Sequence, residues 1–385
     1  MIYLDNNATT RIHPEVLSAM LPWLTDQYAN PSSVHQFGQE ARQAIEAARY
    51  QLAALAGCRI SEVIFTSGGT EADNAAITGI AAGAPPERRT IVTSAVEHSA
   101  VRETLAGLAR LGWNIIEIPV DISGHLNMRM LEEALGEHKT ALVTIMWANN
   151  ETGVVFDVAA IGHLARQHGA VFHTDAVQAA GKTPLRFSDM PIDLLSISGH
   201  KFHGPKGTGA LIVRRGNKWR PFIRGGPQER DRRGGTENVA GIVGMGRAAA
   251  MAVQRMEHSD DNARIAGLRD HLEQGILGAI PDSHINGDAT ARIMNTANIG
   301  FDRLEAEAIL ILLSQHEICA SAGAACSSGS LEPSHVLRAM HIPERTAHGA
   351  IRFSLSHFTT SQEIDAVLRV MPEIIQRLRK ALPAI

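Results

Sequence analysis

Short β-rich apolar runs recur along the first 214 positions: EVIFT (62–66), TIVTS (90–94), NIIEI (114–118), ALVTIM (141–146), AVFHT (170–174), LLSIS (194–198) and ALIVR (210–214). Most are separated by stretches with apolar residues three and four apart, as at Thr70–Ala82, Ala100–Leu111, Met128–Leu135 and Val158–His168. Strand alternating with helix predicts an α/β unit whose mostly parallel sheet is covered on both faces. After Arg215 the pattern changes to a Gly-rich stretch (Gly225, Gly226, Gly234, Gly235) and a long helical region, Val239–Ile280. Beyond Pro281 the chain reads as a smaller α+β unit ending in a helix over Ser361–Leu382. The expected division is a large domain over 13–258 and a small domain made of 1–12 and 259–385, the first dozen residues joining a folded unit rather than dangling.

Composition narrows the class. With 385 residues, 44% of them hydrophobic, the chain can bury a sizeable core without metal or disulfide staples. A net charge of −4 and the lack of any Lys/Arg run argue against a nucleic-acid partner. Asp5 stands where a signal peptide carries positive charge, and no apolar run has membrane-spanning length, so a soluble cytoplasmic protein without membrane association is expected. Cys58, Cys319 and Cys326 are odd in number and lack CxxC spacing, which indicates neither a disulfide framework nor a zinc site.

Candidate chemistry begins at SGGTEADNAAI, which follows a predicted strand and opens a helix. The amides of Gly69 and Thr70 would then face a bound phosphate, although the segment also reads as a plain strand-to-helix turn with Thr70 as N-cap. Neither GxGxxG nor GxxxxGK[ST] spacing is present, which demotes NAD and P-loop nucleotides. Asp175 ends the run AVFHTD at a strand's carboxyl end, where a carboxylate can keep a pyridine nitrogen protonated. Lys201 follows DLLSIS in SGHKFHGPKG, a fitting place for a lysine that bonds a carbonyl cofactor. Standing alone, Asp175 also reads as a cap and Lys201 as a solvated loop charge.

The segments LDNNATT, NPSSVHQFG, TSGGTEADN, VEHSAV, NNETGV, HTDAVQ, SGHKFHGPKG, GGTENV and GAACSSGSLEPSHVLRAM occur in that order along essentially the whole chain. Their wording resembles the cysteine desulfurases, class V aminotransferase-like enzymes, and most of all the nitrogen-fixation-associated NifS type. The resemblance implies fold type I of the pyridoxal-phosphate-dependent transferases (aspartate aminotransferase-like), with a mostly parallel seven-stranded sheet, as a homodimer with active sites at the interface. It implies the cofactor pyridoxal 5'-phosphate and conversion of L-cysteine to L-alanine, with sulfur passing to Cys326 as a persulfide. A scaffold or other sulfur-acceptor protein of iron–sulfur cluster assembly, nitrogenase metalloclusters included, would then receive it.

Residue by residue, the resemblance makes Lys201 the cofactor-bearing lysine, Asp175 the partner of the ring nitrogen and His98 the histidine stacked on the ring and able to shuttle protons. Gly69, Thr70, Ser198, Gly199 and His200 correspond to the phosphate site, and Thr236 to a residue reaching the phosphate of the partner subunit. Asn150 and Gln178 correspond to contacts with the ring and its phenolic oxygen, and Arg352, with Asn150, to the substrate carboxylate site. No intrinsic metal is implied, though Cys326 would transiently ligate a cluster shared with a scaffold. Cys326 would lie on a mobile loop of about 321–333, while Cys58 and Cys319 would pack as small hydrophobes. Asn30 and His35 lie in a family motif near the active site. SGHK stands where SAHK is frequent and SAGAACSSG where SSGSACTSG is frequent; small residues and the nucleophile are kept. Alternatives on the same fold are a selenocysteine lyase, a cysteine-sulfinate enzyme or a general housekeeping desulfurase. A cofactor-binding regulator would need an added DNA-binding region, and none is visible.

Overall fold

The computed structural model of the 385-residue chain describes residues 1–257, 259–322 and 333–381. In chain order the strands are β1 (Ile2–Tyr3), β2 (Val63–Thr66), β3 (Thr90–Ser94), β4 (Asn114–Ile118), β5 (Thr140–Thr144), β6 (Val171–Asp175), β7 (Leu194–Ser198) and β8 (Gly209–Val213), then β9 (Ser283–Ile285), β10 (Thr296–Phe301), β11 (Ile318–Cys319) and β12 (Ile351–Ser354). Seven of them form one sheet in the order β2-β8-β7-β6-β5-β3-β4. β8 is antiparallel to both neighbours and the remaining pairs are parallel. Six strands therefore point their carboxyl ends to one edge, as the strand-helix alternation predicts.

Side-chain alternation explains why this sheet sits inside. Val92, Val143, Leu195 and Ile212 enter the apolar cluster on one face, while their neighbours Ile91, Leu142, Leu194 and Leu211 enter the cluster on the other. A strand buried on both faces shows an apolar run rather than a strict alternation, and the polar residues it keeps find partners inside, as His173 Nε2 and Ser196 Oγ do at 2.9 Å. The helix Gly69–Gly83 packs across β7 and β8. The helices Pro14–Leu24 and Gln36–Ala56, not picked out by the pattern analysis, pack on Val239–Glu257. Small residues allow that approach: a Cβ on Gly246 would lie 2.6 Å from Ala48 Cα.

A second, antiparallel sheet has the order β12-β10-β9. It packs in a separate cluster with Leu272, Ile276, Ile309, Val367 and Ile374, and Leu4 joins that cluster. The long pattern over 239–280 resolves into two helices, Val239–Glu257 and Ser259–Ala279, the second lying against Ser361–Ala381. β1 pairs with β11 and Asp5 bridges to Ser354, so the chain's start is woven into this second unit. Among the described residues no helix is long and apolar enough to cross a membrane.

Candidate active site

A cavity of about 540 Å³ opens at the carboxyl edge of the large sheet, lined in part by Gly69, Thr70, His98, Asn150, Asp175, Gln178, Ser198, His200, Lys201 and Arg352. Local sequence explains the convergence. β2 ends one turn before the helix Gly69–Gly83, β3 ends shortly before His98, β6 ends on Asp175, and β7 ends on Ser198 with a 3-10 turn Gly199–Lys201. The helix starts two residues earlier than a Thr70 cap implies: its N-cap is Gly68, which offers no side-chain hydrogen bond. Its first amides therefore remain available to an anion. Ser198 Oγ is buried without a hydrogen-bond partner among the described residues. A Cβ at Gly69 would meet Val177 Cγ2 at 2.8 Å and Ser198 Cβ at 3.4 Å, so glycine keeps this cradle open.

The floor is acidic and dry. Asp175 is 7% exposed, and one carboxylate oxygen accepts from Val177 N at 2.8 Å. Burial pushes its carboxyl above the usual range, opposed by the nearby His98 and Lys201. Asp73, on the helix from Gly69, is fully buried beside it, and burial together with the Asp175 charge pushes its carboxyl well up. Glu97 is pushed up to about 8, chiefly by burial, although its Oε1 accepts from Ser94 Oγ and from Met146 N at 3.0 Å. His98 caps the helix Ser99–Arg110 through Nδ1, which accepts from Ala100 N at 3.1 Å. That bond places its proton on Nε2, and burial lowers its pKa, favouring the neutral ring.

The segment Asp5–Thr10 ties the two units together over the cavity. The Asn7 carbonyl accepts from Lys201 Nζ at 2.5 Å and from Gln178 Nε2 at 2.9 Å, and the Ala8 carbonyl accepts from Lys201 Nζ at 2.9 Å. Asn7 Nδ2 reaches the Asn150 carbonyl at 3.1 Å and Thr296 Oγ1 at 2.8 Å. Arg352, 2% exposed on β12, donates to Asp5 Oδ1 at 2.8 Å and to the Asn150 carbonyl at 3.0 Å. Lys182 donates to Gln178 Oε1 at 2.8 Å, and burial with the nearby Lys201 and Arg352 charges lowers its pKa to about 7. His200 Nδ1 pairs with Thr9 Oγ1 at 3.1 Å, and burial lowers that ring to about 4.

Several expected site residues fall elsewhere. Gly199 is buried behind the lining, its amide bonded to the Thr208 carbonyl at 3.0 Å. Thr236 is exposed and away from the cavity of its own chain. His35 caps the helix Gln36–Ala56 and Asn30 accepts from Ser32 N, both outside the lining. Cys326 lies outside the described residues. On either side of that stretch, Ser321 pairs with Arg352, and His335 lines the cavity while bonding the Glu97 carbonyl at 3.0 Å. Cys58 packs against the main core, where burial pushes its thiol up to about 12. Sequence reasoning missed Asp73, Glu97, Asn7 and Lys182. Asp73 had a visible signal, since it lies one helical turn after Gly69 and so on the same face.

The family model for aminotransferase class V matches residues 2–367. A cysteine desulfurase of Trichormus azollae is 54% identical over 383 residues, covering 100% of this chain and 95% of the relative. The chain belongs to the cysteine desulfurase family. Azotobacter vinelandii cysteine desulfurase NifS is 50% identical over 383 residues, covering 99% of this desulfurase and 94% of its own length. A solved NifS-like protein has a TM-score of 0.91 at 37% identity, covering 98% of this chain and 100% of that one. A structure described as SspA in complex with cysteine has a TM-score of 0.80 at 34% identity, covering 94% and 100%. Desulfurases of this family depend on pyridoxal phosphate, and the cavity fits that group. An uncapped helix start beside an unpartnered Ser198 hydroxyl suits the phosphate, and a buried carboxylate suits the ring nitrogen. An amine held at a strand's end suits covalent attachment.

Proposed function

We propose that this desulfurase converts free L-cysteine to L-alanine, with Lys201 as covalent anchor and proton carrier and Cys326 as sulfur acceptor. The observation that carries the reading is the meeting of Lys201, Asp175, His98 and the uncapped helix start in one cavity with Arg352. Gly69, Thr70, Ser198 and His200 would hold the phosphate, Asn150 and Gln178 the ring, and Thr236 the phosphate of a second copy, while Gly199, its amide bonded to Thr208, backs the site. Once bound, pyridoxal phosphate supplies a carbonyl for the substrate amine and a ring that takes up charge released at Cα. Asp175 keeps the ring nitrogen protonated, and Arg352 takes the substrate carboxylate with its planar fork. Lys201 Nζ accepts the Cα proton, and His98 holds a proton on Nε2 at the cavity.

Cys326, as thiolate, attacks the substrate sulfur: the S–S bond forms, the Cβ–S bond breaks, and Cβ gains a proton as alanine is made. The described residues flanking its segment are anchored at the cavity through Arg352 and Glu97. With its thiol held protonated by burial, Cys58 is a poor acceptor. The SspA structure with cysteine supports the substrate class. The same reading makes the protein a cytoplasmic homodimer, divided at the boundaries expected from sequence, that hands sulfur to an iron–sulfur scaffold or other acceptor. It needs neither nucleic acid nor membrane.

The test is chemical. Borohydride reduction of the yellow holoenzyme followed by peptide mass spectrometry should place the cofactor on the Lys201 peptide, and cysteine with a reductant should give alanine and sulfide in equal amounts. Label on another lysine, or sulfide without alanine, contradicts the reading.

A further inference from the structure

Three consecutive non-glycine residues, Glu229, Arg230 and Asp231, have φ of 48°, 59° and 63°. A left-handed backbone is unfavourable for residues with a Cβ, and a run of three persists only where the surroundings over-determine it. Here they do. Glu229 is buried, and its carboxylate accepts from Arg49 Nη1 at 2.6 Å, Arg49 Nη2 at 2.7 Å and Phe65 N at 2.9 Å. Arg49, buried too, also donates to the Val63 carbonyl at 3.1 Å, and its guanidinium lies 4.7 Å over the Phe65 ring. Arg232 reaches the same Val63 carbonyl at 3.1 Å, and Gln228 Oε1 accepts from Gly235 N at 3.0 Å. Arg233 forms two bonds, at 2.9 and 3.1 Å, with Glu71, the residue after Gly69 and Thr70.

These bonds clamp the segment to β2 and to the start of the phosphate-side helix, yet neither Arg49, Glu229 nor Arg233 lines the cavity. The clamped segment ends at Thr236, which is exposed. A buried ion pair is weak evidence of stabilisation in itself, since apolar packing of the same volume often does as well. It does fix one conformation, and this conformation is one the backbone would otherwise leave.

We infer that Arg49 and Glu229 are positioning residues whose ion pair holds 229–231 in the left-handed conformation and so projects Thr236 as a rigid finger toward the cofactor phosphate of a second copy. The Arg233–Glu71 pair roots that finger beside the chain's own phosphate cradle. The inference rests on the reading that Thr236 reaches the partner's phosphate, and the test separates the two.

The test compares dissociation constants of pyridoxal phosphate and of pyridoxal, which lacks the phosphate, for the full-length apoprotein, with sedimentation and thermal melting as controls. Thr236→Ala, the direct probe of the reading, should weaken pyridoxal phosphate about tenfold and pyridoxal by less than about twofold. Glu229→Gln should reproduce that selective loss. Adding Arg230→Gly and Asp231→Gly should restore part of it, because glycine adopts the left-handed backbone without the clamp. Loss by Glu229→Gln of both ligands equally, or of neither, while Thr236→Ala is selective, overturns the clamp alone. No selectivity in Thr236→Ala overturns the reading and the inference with it. If Glu229→Gln fails to fold, Arg233→Gln, at the partly exposed end of the segment, should show the selective loss at about threefold, and an unselective result there counts against the clamp.

Discussion

Two cations face each other across the cavity, Lys201 half-buried and Arg352 buried, and they are held differently. Lys201, on the edge of the seven-stranded sheet, donates to the main-chain carbonyls of Asn7 and Ala8. Arg352, on the three-stranded sheet, donates to the Asp5 carboxylate as well as to the Asn150 carbonyl. A carbonyl accepts a bond from an amine in either protonation state, whereas a carboxylate favours the charged partner. The main-chain carbonyls on Lys201 suit an amine in either protonation state, and the Asp5 carboxylate on Arg352 suits a cation. Asp5, Asn7 and Ala8 belong to the same strap, residues 5–10, so one segment touches the cation of each sheet.

The largest effect should come from breaking the first half of that contrast. Lys201→Arg keeps a cation but removes an amine able to bond a carbonyl or carry a proton, and kcat/KM for alanine formation should fall by about 10⁴ or more. A variant within tenfold of wild type would make the difference between the two cations irrelevant. On the other sheet, Arg352→Lys keeps charge but loses the planar fork, so KM for cysteine should rise by about ten- to a hundredfold with the cofactor absorbance unchanged. Asp5→Asn should move KM the same way by about threefold, since it loosens the guanidinium without removing it. An altered absorbance in either variant would place Arg352 in the cofactor site instead.

The smallest effect sharpens the contrast through pH. Glu97 lies at the Lys201 edge, where burial raises its carboxyl to about 8. A folded pKa above the unfolded one stabilises fully below the unfolded value, near 4.5, and that contribution is lost as pH rises through about 8. Glu97→Gln cannot titrate, so its melting temperature relative to wild type should climb by a few degrees between pH 5 and pH 8.5. A difference that stays flat or falls over that range would mean that Glu97 is ionised in the fold at neutral pH.

Much of this arrangement was legible in the chain itself. Strands buried on both faces leave continuous apolar runs, so the seven strands of the large sheet could be read and their carboxyl ends marked Asp175 and Lys201. The short strands outside the large sheet were harder: β9 in the second sheet and β11, paired with β1, have three and two residues, too short for a period to show. Asp73 and Glu97 stand in a helix and a loop, where acids are ordinary, and only folding buries them near Asp175. Asn7 meets Lys201 through its carbonyl, which every residue has, so no side-chain pattern could announce that contact. The left-handed run at 229–231 was equally hidden, since none of those residues is glycine. Thr236 is exposed and does not line its own chain's cavity, and only the resemblance suggested a use for it.

The most direct test of the account follows sulfur. Wild-type holoenzyme given cysteine without reductant should gain one sulfur on the peptide carrying Cys326, and Cys326→Ser should gain none. That variant should still bind the cofactor and change its absorbance on adding cysteine, because Lys201, Asp175 and the phosphate cradle are intact, while alanine formation falls by about three orders of magnitude or more. Sulfur found on Cys58 or Cys319, or near-normal alanine formation by Cys326→Ser, would contradict the account.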